Sequence, residues 1–154
     1  MGHRIDIGIS EEARIGIADG VAHLLVETAG LYPKTQNAHW DVTGPMFDTP
    51  HVMFEQHYTE LATAVDQLEE RMHALVMPVP GSYARFAELT RIEEEIGGPL
   101  TMQMIEQLEK VVVRTARTVL RVADTVHDRP RADVLAQRMC SHSKASWTLR
   151  SMLD

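Results

Sequence analysis

The stretch Lys34-Thr-Gln-Asn-Ala-His-Trp-Asp-Val-Thr-Gly44 is the part of the sequence on which the interpretation of the rest depends. It carries His39 at the end of a helical pattern and then breaks into turn residues. Four more potential metal ligands follow in the next helical pattern: His51, Glu55, Asp66 and Glu70. Imidazole nitrogens and carboxylate oxygens together suit a hard or borderline metal ion, so the sequence predicts a metal site that draws on two consecutive helices.

Apolar residues recur at helical spacing in four long segments, which predicts an all-α protein. The expected helices cover about residues 11–39, 50–76, 101–126 and 131–152. Residues 82–99 form a connector that ends in Gly97-Gly-Pro99, and its length favours a chain that crosses the whole bundle over a tight hairpin. The expected fold is one ferritin-like four-helix bundle over residues 1–154, with a long crossover between the second and third long helices.

Local signals indicate where these helices begin and bend. Ser10 precedes two acidic residues and is expected to cap the first helix. Asp48 or Thr49 is expected to cap the second helix, with Pro50 at its first position. Pro33 lacks a backbone donor, so we expect a kink one turn before it.

The composition is that of a globular chain. Among 154 residues, 44% are hydrophobic and 24% are charged, and no apolar run is long enough for a secretory signal or a bilayer span. We therefore expect a soluble protein of the cytoplasm. The single Cys140 excludes an intrachain disulfide and fits a reducing compartment, and we expect it to be a small core or interface residue.

The charge balance argues against tight binding to nucleic acid. The formal net charge is −7, and neither terminus carries a basic cluster, so we expect DNA binding near neutral pH to be weak or absent. Four bases form a stripe on the third long helix: Lys110, Arg114, Arg117 and Arg121. Glu106 and Glu109 lie next to it, which favours an ion-paired outer or interface face.

The spacing of the potential ligands predicts two half-sites. On a helix, His51, Glu55, Asp66 and Glu70 share one face, but Glu55 and Asp66 lie roughly 16 Å apart along the axis. A metal ion with bonds of about 2 Å cannot use both pairs from one helix. A two-fold axis between antiparallel copies would bring the halves together twice, with His39 completing the His-rich half. The alternative, ordinary surface residues at i, i+4 spacing, stays open at this point.

A metal site inside one bundle has less support from the sequence. Ferritin-type di-iron sites need Glu-x-x-His on two helices, and only Glu70-Arg-Met-His73 matches, with no counterpart on the last two long helices. Four other histidines have no partner that the sequence identifies and are expected to be surface or packing residues: His57, His73, His127 and His142.

At these residues the sequence resembles the Dps family, the mini-ferritins named for DNA protection during starvation. The similarity covers about residues 10–153. Its most specific parts are the stretch Lys34–Pro45, the segment His51-Val-Met-Phe-Glu55 and the segment Asp66-Gln-Leu-Glu-Glu-Arg71. The resemblance implies a hollow shell of twelve subunits that oxidises Fe(II), preferentially with hydrogen peroxide, and stores the ferric mineral inside.

The resemblance also implies roles for individual residues. His39, His51 and Glu55 of one subunit would bind iron together with Asp66 and Glu70 of its two-fold partner, as a mono-iron or di-iron centre in which zinc could substitute. Trp40 would be a redox neighbour of that centre or an interface packing residue. Asp128 and Asp133 would line an iron-entry pore, or serve as turn and cap residues. Two other functions are kept as alternatives: a DNA-binding structural protein, and a shell that buffers zinc or iron without turnover.

Overall fold

The structure, a computed structural model, describes residues 6–93 and 101–154, and this part of the chain contains helices and no strand. The helices are α1 (Glu11–Asp41), α2 (Asp48–Ala74), α3 (Tyr83–Leu89), α4 (Met102–Thr125) and α5 (Arg129–Leu153). No described helix combines the length and apolar character that a bilayer crossing requires. The expected all-α, ferritin-like bundle is confirmed.

Two antiparallel hairpins make up the bundle. In the first, Tyr32 of α1 meets Tyr58 of α2 with ring centroids 5.6 Å apart. At the other end of this hairpin, the Arg14 guanidinium donates to the Leu75 carbonyl oxygen over 3.2 Å. In the second, α4 and α5 pack along each other after a short turn. Contacts between α1 and α4 join the two hairpins.

The direction of α4 explains the long crossover. Gly20 of α1 lies against Val119 of α4, so closely that a Cβ at position 20 would be 2.8 Å from a Val119 methyl group. Further along α1, Glu27 faces Thr115, which precedes Val119 in the chain. Thus α1 runs antiparallel to α4 as well as to α2, and α2 and α4 are parallel. Parallel neighbours require a connection that returns along the bundle, as the connector length predicts.

The crossover contains more helix than the sequence suggests. Residues 83–86 are recognisable as one turn, but α3 continues to Leu89 after Ser82 accepts a hydrogen bond from the Arg85 amide over 3.2 Å. The predicted Gly97-Gly-Pro99 break lies outside the described residues.

Two expectations about helix ends need correction. Ser10 caps α1 as predicted, through a 3.2 Å bond from the Ala13 amide. Neither Asp48 nor Thr49 caps α2, because the helix begins at Asp48 and its N-cap position is Phe47, in helical conformation and without a side-chain cap. Pro50 is therefore the third residue of α2 and not the first. α1 also continues across Pro33 as far as Asp41.

The predicted apolar stripes form the core. Their central members are at most 3% exposed: Ile17, Val21, Leu24, Leu31, Phe54, Leu61, Leu68, Ile105, Val112, Ala116, Val119, Leu135 and Leu149. Ala62, which the pattern includes, is exposed. Cys140 is also exposed, so the expectation of a core cysteine is wrong, while a place in an interface stays a prediction.

Both α2 and α4 end in the hydrogen-bonding pattern known as the Schellman motif. After α2, the Val76 amide donates to the His73 carbonyl (2.8 Å) and the Met77 amide to the Met72 carbonyl (3.2 Å). The motif needs a left-handed residue after the helix, and Val76 occupies that position with φ 60°. His127 does the same after α4, with φ 56°. A β-branched residue is strained in this conformation.

We predict that Val76→Gly raises the free energy of unfolding by about 1 kcal/mol, because glycine relieves the left-handed strain. Equilibrium denaturant unfolding measures the change. Val122→Gly is the matched control, since Val122 is exposed inside α4, and glycine there should lower the free energy by about 1 kcal/mol. Destabilisation of similar size in both variants would contradict the prediction.

Candidate metal centre

The hairpin between α1 and α2 places two of the predicted ligands face to face. The rings of His39 and His51 stack with centroids 3.8 Å apart and an angle of 21° between their planes. The intervening loop turns at Gly44, whose φ of 106° is readily adopted by glycine. The pairing is thus a consequence of the short loop between two antiparallel helices.

Each histidine of the pair is hydrogen-bonded to the backbone of the other. His39 Nδ1 lies 2.8 Å from the His51 carbonyl oxygen, and His51 Nδ1 lies 3.0 Å from the His39 carbonyl oxygen. A carbonyl oxygen accepts and cannot donate, so each Nδ1 carries the proton in these bonds. In a neutral imidazole the lone pair then resides on Nε2. The hairpin backbone therefore holds both rings in the tautomer that leaves Nε2 available for a metal.

Aromatic side chains fix the orientation of this pair. Phe47 stacks on His51 at 4.5 Å between centroids, and Tyr58 presents its edge to His39 at 5.5 Å. Three other apolar side chains near the tip of the hairpin remain exposed: Trp40, Met46 and Val52. Exposed apolar side chains beside a pair of histidines are typical of a surface that another protein covers.

The three predicted acidic ligands all lie exposed on α2. Because α2 is unbroken from Asp48 to Ala74, the 11 residues between Glu55 and Asp66 correspond to roughly 16 Å. Glu70 sits a turn further on, with a carboxylate oxygen 3.6 Å from the Arg71 guanidinium. The structure thus brings His39 and His51 together and keeps Asp66 and Glu70 well away from them.

Within the described residues, the five predicted ligands do not place three ligand atoms within 4.8 Å of one another. A metal site that uses all five therefore needs more than one copy of the chain, as the spacing predicts. Whether these residues bind metal stays a prediction.

The other predicted functional residues have different surroundings. Trp40 is 66% exposed, directly after His39 in the chain. Asp128 is 4% exposed, and both its carboxylate oxygens accept hydrogen bonds from Arg131 at 2.8 Å. Its side chain makes no cap bond to α5, so the capping alternative is not supported for Asp128. Asp133 is exposed, and the pore role stays a prediction for both acids.

A second group of ligand-type side chains lies inside the bundle, where the sequence interpretation placed none. His57 of α2 and His142 of α5 both contact the carboxylate of Glu109 on α4. His57 Nε2 bonds to one oxygen, and His142 Nδ1 lies 2.6 Å from the other. Both histidines therefore have a partner that the sequence did not identify, while the complete burial of His142 agrees with the expectation of a packing residue. We call these three residues the interior cluster.

Burial and neighbouring charges have opposite effects on the pKa values of His57 and Glu109 in the interior cluster. Burial alone would lower the pKa of His57, but the hydrogen bond and negative charge of Glu109 hold that pKa above the ordinary 6.5. Burial alone would raise the pKa of Glu109, but hydrogen bonds from His142 and His57 bring that pKa below the ordinary 4.5. The arrangement favours a carboxylate paired with a protonated imidazole.

The position of Glu109 in the interior cluster corrects the expectation that Glu106 and Glu109 both pair with the basic stripe. Glu106 does pair with Lys110, at 2.7 Å, and also accepts a hydrogen bond from Ser146. Glu109 points inward and is fully buried, so it cannot compensate the exposed Arg114, Arg117 and Arg121. A signal for this was available in the sequence, because Glu109 falls four residues after Ile105 and three before Val112, on the apolar face of α4.

Comparison with known proteins identifies related sequences along nearly the whole chain. A family model described as Ferritin-like domain matches residues 22–154. An uncharacterized low temperature-induced protein of Nostoc sp. is 30% identical over 98% of this chain and 87% of its own length. The DNA protection during starvation protein of Brevibacillus brevis is 32% identical over 80% of this chain and 85% of its own length.

Solved structures show the same fold. A Dps protein from Bacillus brevis superposes with a TM-score of 0.87 at 28% identity, over 95% of this chain and all of that one. The Dps protein from Vibrio cholerae, described as a member of a broad superfamily of ferritin-like diiron-carboxylate proteins, superposes with a TM-score of 0.90 at 22% identity, over 100% of this chain and 99% of that one.

The interior cluster generates a prediction about pH. Glu109 stabilises the fold above a pH of about 4.5 and loses this effect as the pH falls through its lowered folded pKa. His57 stabilises the fold below a pH of about 6.5 and loses this effect as the pH rises through its raised folded pKa. In metal-free protein, Glu109→Gln should therefore cost most stability between these values, on the order of 3 kcal/mol.

Denaturant unfolding of the wild type and of Glu109→Gln in the presence of a chelator, from pH 3 to pH 9, measures the difference in their free energies of unfolding. The difference should shrink toward both ends of the range. Glu88→Gln is the control, because Glu88 is exposed and, among the residues that the structure describes, pairs with Arg85 one turn away. A difference that does not vary with pH would contradict the assignment of charges in the interior cluster.

Proposed function

Because this chain belongs to the Dps family of ferritin-like proteins, we propose that it oxidises Fe(II) with hydrogen peroxide at sites shared between two subunits and stores the ferric product in a shell of twelve subunits. The observation that carries the proposal is the His39–His51 pair, in which backbone hydrogen bonds leave two Nε2 lone pairs available beside an exposed apolar surface. Iron is the substrate of this reaction.

Each shared site needs residues from both subunits. His39, His51 and Glu55 form one half, and Asp66 and Glu70 of a two-fold partner form the other half. The support is geometric, since an unbroken α2 separates the halves by roughly 16 Å within one chain. An isologous contact between antiparallel α2 helices brings each half opposite the other, so one interface makes two sites. Trp40 would then lie in that interface, where we propose that it intercepts oxidising equivalents.

The ligand types fit the chemistry. Two imidazoles hold Fe(II), while carboxylate oxygens bind Fe(III) more strongly and so favour the oxidised product. Few protein ligands per ion leave coordination positions open for peroxide. Two Fe(II) ions each lose one electron to one H₂O₂ molecule, whose O–O bond breaks, and two protons complete two molecules of water. We further propose that Asp133, exposed at the start of α5, attracts incoming Fe(II), whereas Asp128 is buried and paired with Arg131.

Mixing complementary variants tests whether the sites are shared. His51→Ala and Asp66→Ala each remove one half, so either variant alone should lose rapid Fe(II) oxidation. In a hybrid dimer one of the two sites receives both intact halves. Random one-to-one reassembly should therefore restore about a quarter of the wild-type rate, because about half of the dimers are hybrid and each has one intact site. Stopped-flow absorbance of ferric product measures the rate.

The controls separate chemistry from folding. Asp66→Ala/Glu70→Ala should abolish rapid oxidation while the elution volume in size-exclusion chromatography stays that of the wild type. Gln67→Ala, on the same exposed side of the helix and between the two acids, should oxidise iron normally. Unchanged kinetics in the double variant would refute the site, and hybrids without activity would refute its sharing between subunits.

A DNA-binding structural function is the second candidate, because several relatives are named for DNA protection. Arg114, Arg117 and Arg121 are exposed on α4, which is the feature that favours it. The net charge of −7 opposes it. We predict no retardation of linear DNA in a gel shift at pH 7.5 and physiological salt. Retardation that is lost in Arg114→Ala/Arg117→Ala/Arg121→Ala would overturn this prediction and assign the contact.

A further inference from the structure

We propose that the interior cluster of His57, Glu109 and His142 is a second metal site, which binds a single divalent transition-metal ion inside each subunit. The three side chains come from α2, α4 and α5, and one ligand atom from each lies within 4.8 Å of the other two. Within residues 6–93 and 101–154, this is the one group of histidine, cysteine or acidic side chains that meets this distance.

The donor set is chemically specific. Two imidazole nitrogens and one carboxylate oxygen match the three protein ligands of open zinc sites and of mononuclear Fe(II) sites. In a tetrahedral zinc site, neighbouring ligand atoms lie roughly 3.3 Å apart. His142 Nδ1 and the Glu109 oxygen that it contacts are 2.6 Å apart, so this pair would separate by less than 1 Å to reach that spacing. The ion would replace the protons that these groups now share.

One atom of the cluster carries an energetic cost that the hydrogen bond to Glu109 must offset. His142 is fully buried, and its Nε2 has no hydrogen-bond partner among the described residues. A buried polar atom without a partner costs about 1–3 kcal/mol. An apolar side chain in this place would avoid that cost, so the value of an imidazole here lies in Nδ1, the nitrogen that faces Glu109.

One member of the interior cluster lies in the wall of a surface cleft. A cleft of about 270 Å³ lies between α2 and α5, and His57 forms part of its wall. Ser141, Lys144 and Glu60 also line the cleft, and Glu60 is held there by an ion pair with Arg138. The side chain of His57 is 13% exposed, whereas the side chains of Glu109 and His142 are completely buried. His57 is therefore the member of the interior cluster that an ion entering from the cleft meets first.

The interior site is independent of the shared site proposed above. On a helical wheel at about 100° per residue, His57 lies roughly 240° from His51, while Glu55, Asp66 and Glu70 lie within roughly 100° of His51. The two sets of ligands thus occupy opposite sides of α2. A variant that removes the shared site leaves the interior cluster intact.

Zinc titration of a variant that lacks the acidic half of the shared site tests the proposal. Full-length Asp66→Ala/Glu70→Ala protein is stripped with a chelator and titrated with Zn²⁺ by calorimetry, in the presence of a competing chelator that masks weak surface sites. We expect one tight Zn²⁺ per subunit. Adding His57→Gln should weaken binding on the order of a hundredfold. Adding His73→Gln instead should change nothing, since His73 is an exposed histidine of α2 that pairs with Glu69.

Equal binding with and without His57→Gln, or no tight binding in the background protein, would overturn the proposal. A crystallographic experiment on the wild type covers the case in which His57→Gln does not fold. Crystals soaked in Zn²⁺ should give an anomalous peak within bonding distance of Glu109 and at least one of the two histidines. Zinc at the shared site with no peak at the interior cluster would equally overturn the interior site.

Discussion

The unbroken α2 helix is the constraint on which the proposed iron chemistry depends. A helix is a rigid spacer, so the 11 residues between Glu55 and Asp66 keep these side chains roughly 16 Å apart whatever the surroundings do. A single chain therefore cannot assemble all five predicted ligands, however favourable their chemistry. The proposed reaction therefore requires association between subunits, because the ligands that one half-site lacks must come from the α2 helix of a second subunit.

The hairpin before α2 orders the histidine half of the proposed shared site without help from a partner. Two backbone hydrogen bonds determine which nitrogen of His39 and of His51 is protonated, and the stacking of Phe47 limits ring rotation. Preorganised ligands lose little conformational entropy when an ion arrives. The acidic half consists of exposed side chains on a helix surface, so we expect it to become ordered only when the interface forms.

Local patterns make part of this molecule predictable. The long helices follow from the apolar period, the His39–His51 approach follows from a short loop between helices, and the 16 Å spacing follows from helix geometry alone. The interior cluster could not be predicted in the same way, since it depends on how far α4 and α5 slide relative to α2. Such registers depend on side-chain packing between helices, as in the contact of Gly20 on α1 with Val119 on α4, and no short-range pattern encodes them. The predicted start of α2 was also wrong because of side-chain packing. Phe47 adopts a helical conformation while its ring packs on His51.

The two faces of α2 expose their ionisable side chains to solvent to very different degrees. On the outer face, the side chains of Asp66 and Glu70 are exposed to solvent in the single chain. On the inner face, His57 meets a carboxylate that is fully buried, and neither charge is tolerable there without the other. An ion that enters the interior cluster must therefore displace a proton from a balanced pair, whereas the acids of the outer face are already open to solvent. Binding inside should be slower and more dependent on pH than binding outside, and this difference allows the two proposed sites to be distinguished in one wild-type protein.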